Sequence, residues 1–80
     1  MKYTQPTDYL NPGWHGVVLS ECRAIYLDGE ILHWCREQVG WGSITNYWGQ
    51  GWEYVGRVLG QPLFQFEKSQ HAMWFQLRWA

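Results

Sequence analysis

Apolar positions recur along this chain in short runs whose spacing shifts between two residues and three or four. Val17-Val18-Leu19 is a β-branched run with strand character, and Ala24-Ile25-Tyr26-Leu27 is a second such run, closed by Asp28-Gly29. Asp-Gly between apolar stretches marks a hairpin, which would make residues 30–34 a returning strand. Against this, Asp28 is a good N-cap and Glu30 sits where a helix dipole favours a carboxylate. Ile31, Leu32, Cys35 and Val39 would then share one helical face, with Glu30, His33 and Glu37 opposite and Gly40 as a C-cap. The spacing predicts a helix over Gly29–Val39.

Further along, a strand begins at Trp52-Glu53-Tyr54-Val55 and runs through Arg57-Val58-Leu59. Gly60-Gln61-Pro62 turns it, and Leu63-Phe64-Gln65-Phe66 returns. Ser69 is an N-cap candidate with Ala72, Phe75 and Trp79 behind it at helical spacing, predicting a helix over Ser69–Arg78. Phe75, Leu77 and Trp79 also alternate, so a final strand stays open as the alternative. The first thirteen residues, MKYTQPTDYLNPG, have no apolar period and read as an extended arm ending in a turn at Asn11-Pro12-Gly13. The whole of 1–80 is one domain, because a second would be too small to bury a core. The expected fold is α+β: a small two-layer sandwich of an antiparallel sheet with two helices on one face.

Composition changes this picture at one point. The 80 residues include seven Trp, five Tyr and three Phe. Each buried aromatic contributes about 2–3 kcal/mol, which explains how so short a chain could fold. So small an interior cannot hold every ring, and at least four of the seven Trp are expected in the core. The stretch from Gly40 to Trp52 sets Gly beside Trp repeatedly, a packed loop in which backbone passes close beneath broad rings. Trp41, Tyr47 and Trp48 in this loop, with Tyr3 and Tyr9 on the arm, are the candidate contact residues, since Trp and Tyr dominate protein–protein hot spots.

Charge and chemistry then exclude more than they add. A net charge of −1 with scattered Arg23, Arg36, Arg57 and Arg78 argues against nucleic acid as a partner. No apolar run is long enough to cross a membrane, and the N-terminus has no signal-peptide core, so a cytoplasmic protein is expected. Of the metal-ligand types, only His33 and Cys35 lie close in sequence, and two positions apart on a helix they point to different sides. Ser20, Ser43 and Ser69 lack a nucleophile motif, which Gly40-Trp41-Gly42-Ser43 only echoes, and no phosphate loop is present. Glu53 and Glu67 could approach across the hairpin, but a glycosidase pair needs an enclosing cleft. No catalytic residue, cofactor or metal is expected, and the chain does not read as an enzyme.

Phe64-x-Phe66, then Ala72-x-x-Phe75-x-Leu77-Arg78-Trp79, resembles the ending of many short, uncharacterised proteins of tailed bacteriophages. Trp34-Cys35 on a helix closed by Gly40 is similar to a second feature of that group. The match covers the C-terminal half and that helix, and departs from the pattern at Gln70-His71, where an acidic pair would stand. The resemblance implies a phage-encoded protein working in the cytoplasm of the infected bacterium. Such proteins commonly bind a host protein stoichiometrically, as host take-over or anti-defence inhibitors. A homodimer is a further expectation, because strand edges and surplus Trp need cover. A single-stranded nucleic-acid binder and a minor virion component are the alternatives.

Overall fold

The structure, a computed structural model, describes residues 10–41 and 47–80. Residues 1–9, and with them most of the expected arm, lie outside the described residues. The arm's closing turn is present: Pro12 and Gly13 occupy its centre, Gly13 has φ 79°, and the Trp14 N–H donates to the Asn11 carbonyl at 3.0 Å. A positive φ after Pro is the geometry of a type II turn, which selects Gly at that place.

Among the described residues four antiparallel strands form one sheet. They are β1 (His15–Val18), β2 (Trp48–Gly49), β3 (Trp52–Val58) and β4 (Gln61–Phe66), in the spatial order β1-β4-β3-β2. Helix α1 (Leu32–Gln38) and helix α2 (Ser69–Trp79) cover one face. This is the expected small α+β fold.

Alternation places Val17, Trp52, Tyr54, Phe64 and Phe66 on the helix-covered face. There they meet Ile31, Leu32 and Cys35 from the α1 region and Ala72, Phe75 and Trp79 from α2. Phe75 lies at the centre, with ring centroids 4.8 Å from Phe64, 4.9 Å from Phe66 and 5.8 Å from Trp34. Separations of this kind give aromatic pairs attraction beyond their buried area.

The sheet's other face carries a polar device. Gln65, almost wholly buried, accepts the Asn11 N–H at 2.7 Å on its Oε1 and donates from Nε2 to Glu53 Oε1 at 2.8 Å. A slip of one residue would swap Gln65 with Phe64 or Phe66, so this pairing enforces the register. Between Tyr54 and Gly56 the β3–β4 register shifts through a bulge, and Gly56 has φ 131°. Beyond the bulge Val58 and Leu63 are buried outside the main core.

Several sequence expectations are corrected. Residues 24–27 are not a strand: a 3-10 turn over Glu21–Tyr26 and a π turn over Leu27–Ile31 lead into α1. The buried positions Leu27, Ile31, Leu32 and Cys35 show why, because the helical period already begins at Leu27. Asp28 therefore lies inside a helical turn and is not an N-cap. Ser69 is the first residue of α2, and the capping position is Lys68, whose carbonyl accepts from the His71 and Ala72 N–H groups. The β3–β4 turn is Leu59-Gly60, both at positive φ, and Gln61 and Pro62 already belong to β4. Phe75, Leu77 and Trp79 are helical. Finally, Trp52 and Trp79 are buried, Trp14 and Trp34 are half-buried, and Trp41, Trp48 and Trp74 are exposed, so the core holds fewer Trp than expected.

Candidate functional site

The Gly/Trp segment is organised by one buried indole. Trp52, fully buried at the start of β3, donates its Nε1–H to the Gly40 carbonyl at 2.6 Å. Gly40 closes α1, its N–H donating to the Cys35 carbonyl at 3.1 Å. It is not in the left-handed region. A Cβ here would collide with the Gln50 backbone, so glycine is required for close approach and not for a C-cap conformation. A Cβ on Gly49 would strike the Trp52 indole and the Gly40 carbonyl. The close passage of Gly backbone beneath a Trp ring, read from the sequence, is located at Gly49 and Trp52.

This lock holds an aromatic surface at the sheet edge. Trp48 pairs with Glu53 and Gly49 with Trp52, making the two-residue edge strand β2. The Tyr54 N–H donates to the Tyr47 carbonyl at 2.7 Å, and the Gln50 N–H to the Trp41 carbonyl at 3.3 Å. Trp41, Tyr47 and Trp48 nonetheless keep 62%, 47% and 53% of their surface exposed. Tyr47 is also the outer member of a row of rings, Tyr47–Tyr54–Phe64–Phe75, with successive centroids 5.7, 5.0 and 4.8 Å apart. The row ties an exposed side chain to the core. Tyr3 and Tyr9, the other candidates, lie outside the described residues, as do Gly42 and Ser43.

Comparison with protein-family models, with curated proteins and with solved structures finds no match.

The chemistry weighed from the sequence takes definite positions. Cys35 is buried and His33 exposed, with His33 Nε2 3.2 Å from Glu37 Oε1 along the outer side of α1. The two do not converge, and among the described residues no three His, Cys, Asp or Glu side chains gather to hold a metal ion. Glu53 is bonded to Gln65, while Glu67 is exposed and lines a separate cleft. Among the described residues no helix is long and apolar enough to cross a membrane.

Both cysteines are free, Cys22 exposed and Cys35 buried. Burial pushes the Cys35 thiol well above the ordinary thiol range, and the neighbouring Arg36 guanidinium offsets this only in part. Only thiolate reacts readily, so at mildly alkaline pH a disulfide reagent should label Cys22 quickly and Cys35 only after unfolding. Two equally fast reactions in the native protein would contradict the burial of Cys35.

Sequence reasoning missed one apolar group. Met73, Trp74 and Leu77 stand at helical spacing on α2 directly opposite its core residues, and all three are exposed. The signal was present in the spacing but overshadowed by Ala72, Phe75 and Trp79.

Proposed function

We propose that this chain is a small phage-encoded, non-enzymatic protein that binds a bacterial host protein stoichiometrically, as a host take-over or anti-defence inhibitor. The observation that carries the binding reading is the exposure of Trp41, Tyr47 and Trp48 on a segment pinned by the Trp52–Gly40 hydrogen bond and by β2 pairing. Trp and Tyr side chains turn about only two χ angles, so they lose little conformational freedom on docking and more of their contact energy appears as affinity. Phage origin is supported by the resemblance of the C-terminal pattern. Protein is favoured over nucleic acid because the chain carries net charge −1 and Arg36 is buried, which weakens the attraction a phosphate backbone needs.

The test is an affinity pull-down of the tagged chain from bacterial lysate, beside a Tyr47→Ala/Trp48→Ala double variant shown by circular dichroism to be folded. Each central aromatic anchor should contribute about 2–4 kcal/mol, so the double variant should lose the partner. A partner retained equally by both proteins would reject this surface.

A further inference from the structure

Among the described residues β1 forms one edge of the sheet and β2 the other. The β1–β4 ladder decides which groups of β1 face outward. The Leu19 N–H donates to the Pro62 carbonyl at 2.9 Å, so Val17 with Phe64 and His15 with Phe66 are the hydrogen-bonded pairs. Gly16 and Val18 alternate with them and turn their N–H and C=O groups away from β4. Both residues are exposed.

This open stretch has sharp ends. The Trp14 N–H is bonded to the Asn11 carbonyl, and the Ser20 carbonyl accepts the Arg23 N–H at 3.0 Å. What remains open is the N–H and C=O of Gly16 and of Val18, set symmetrically about Val17. An unpaired edge is a template for another strand, and sheets blunt such edges with Lys, Pro or a bulge. β1 has none of these, and Trp14 to Ser20 contains no Asp, Glu, Lys or Arg.

We propose that this edge receives the β1 strand of a second copy, antiparallel about a two-fold axis at Val17. Gly16 of each copy then pairs with Val18 of the other, and every outward group finds a partner. A register centred on Gly16 or on Val18 would instead call on the Trp14 N–H or the Ser20 carbonyl, which are taken. The side chains fit the same pairing. Gly16 has no side chain of its own, and a Cβ there would stand 2.9 Å from a Leu10 methyl lying over it. Val18, 37% exposed, arrives beside Gly16 of the other copy and covers the half-buried Leu10. On α2, His71 flanks the core residues on the side of Val39 and Gly51. Met73 therefore flanks them on the side of β1, where its exposed side chain covers the meeting of the two Val17. An isologous contact makes both halves of this match from one sequence. With no charged side chain along the strand, two copies do not repel each other, and no charge selects a different partner.

The proposal goes beyond the host-protein reading and is independent of it. Because β1 and β2 lie at opposite edges, pairing at β1 leaves Tyr47 and Trp48 free at both far ends of the joined sheet. A dimer would thus offer two aromatic surfaces at once, and a partner with two sites would be held by avidity.

The test is analytical ultracentrifugation of the full chain over a concentration series, with hydrogen exchange read at single amides. The mass should double reversibly, and protection of the Gly16 and Val18 amides should appear over the same concentrations. Val18→Pro removes one outward N–H and no bond to β4, while Val18→Lys sets a charge against Leu10 of the other copy. Each should weaken dimerisation tenfold or more with the circular dichroism of the wild type, and Val18→Lys carries the test alone if Val18→Pro does not fold. Trp48→Ala, at the other edge, should leave dimerisation unchanged. A monomer at every concentration, or a dimer kept by the folded Val18 variants, would overturn the proposal. Gly16 and Val18 amides that exchange rapidly in the dimer would overturn it too. So would amides already protected in the monomer, which would assign the edge to residues 1–9 of the same chain.

Discussion

Trp52→Ala should unfold this protein at ordinary temperatures or bring it close to unfolding. The side chain is fully buried, so its loss removes a large apolar surface and leaves a cavity, together about 3–5 kcal/mol. It also leaves the Gly40 carbonyl without its indole donor. Total stability of a domain this small lies at the low end of about 5–15 kcal/mol, so little remains. Trp52→Phe separates the two contributions, because it keeps a ring in the cavity and removes only the hydrogen bond and part of the volume. Thermal melts followed by far-ultraviolet circular dichroism should rank wild type above Trp52→Phe, and Trp52→Phe well above Trp52→Ala. Equal melting of wild type and Trp52→Phe would mean that the bond to Gly40 contributes nothing.

The second large effect is at the end of α2. Trp79 is buried, its ring centroid 6.5 Å from that of Tyr26, with the Arg78 guanidinium 3.9 Å above the Trp79 ring. Its replacement by Ala should cost about 3–5 kcal/mol through the same loss of volume. At about 4–8 °C per kcal/mol for a domain of this size, the midpoint should fall by well over ten degrees. If Trp79→Ala instead melts within a degree or two of wild type, the packing of α2 on the Tyr26 region does not hold in solution.

The regular parts of the fold were legible because periodicity reports burial. Phe64 and Phe66 alternated onto the core face, and Ala72, Phe75 and Trp79 kept the helical spacing that puts them there. What failed did so where tertiary contact overrides local preference. Strand β2 is two residues long and exists only because Trp48 and Gly49 pair with β3. Leu59 at φ 55° carries no turn signal of its own and is held by the strands on either side. Residues 24–27 have strand-like composition, yet the sheet closes with β1 and β2 at its edges, and Leu27 is buried on a helical period instead.

The candidate site was legible in kind more than in place. A surplus of rings implied that some must be exposed, and Trp41, Tyr47 and Trp48 are. Trp74 was hidden because a helix apolar on both faces reads first as a core helix. Gly40 was noticed for the wrong property: its role comes from Gln50, ten positions away in sequence, which no local pattern announces.

The strand order also dictates a sequence of events. β1 ends at Val18, but the strand it pairs with opens only at Gln61, whereas β3 and β4 are joined by a two-residue turn. Closing the short loop costs far less entropy, so the β3–β4 hairpin is the natural nucleus and β1 docks onto it afterwards. On the ribosome, the first strand must wait unpaired until the fourth has emerged. The fold is completed from its C-terminal half backwards, and Gln65, reaching Asn11 across the whole intervening chain, registers that last docking step.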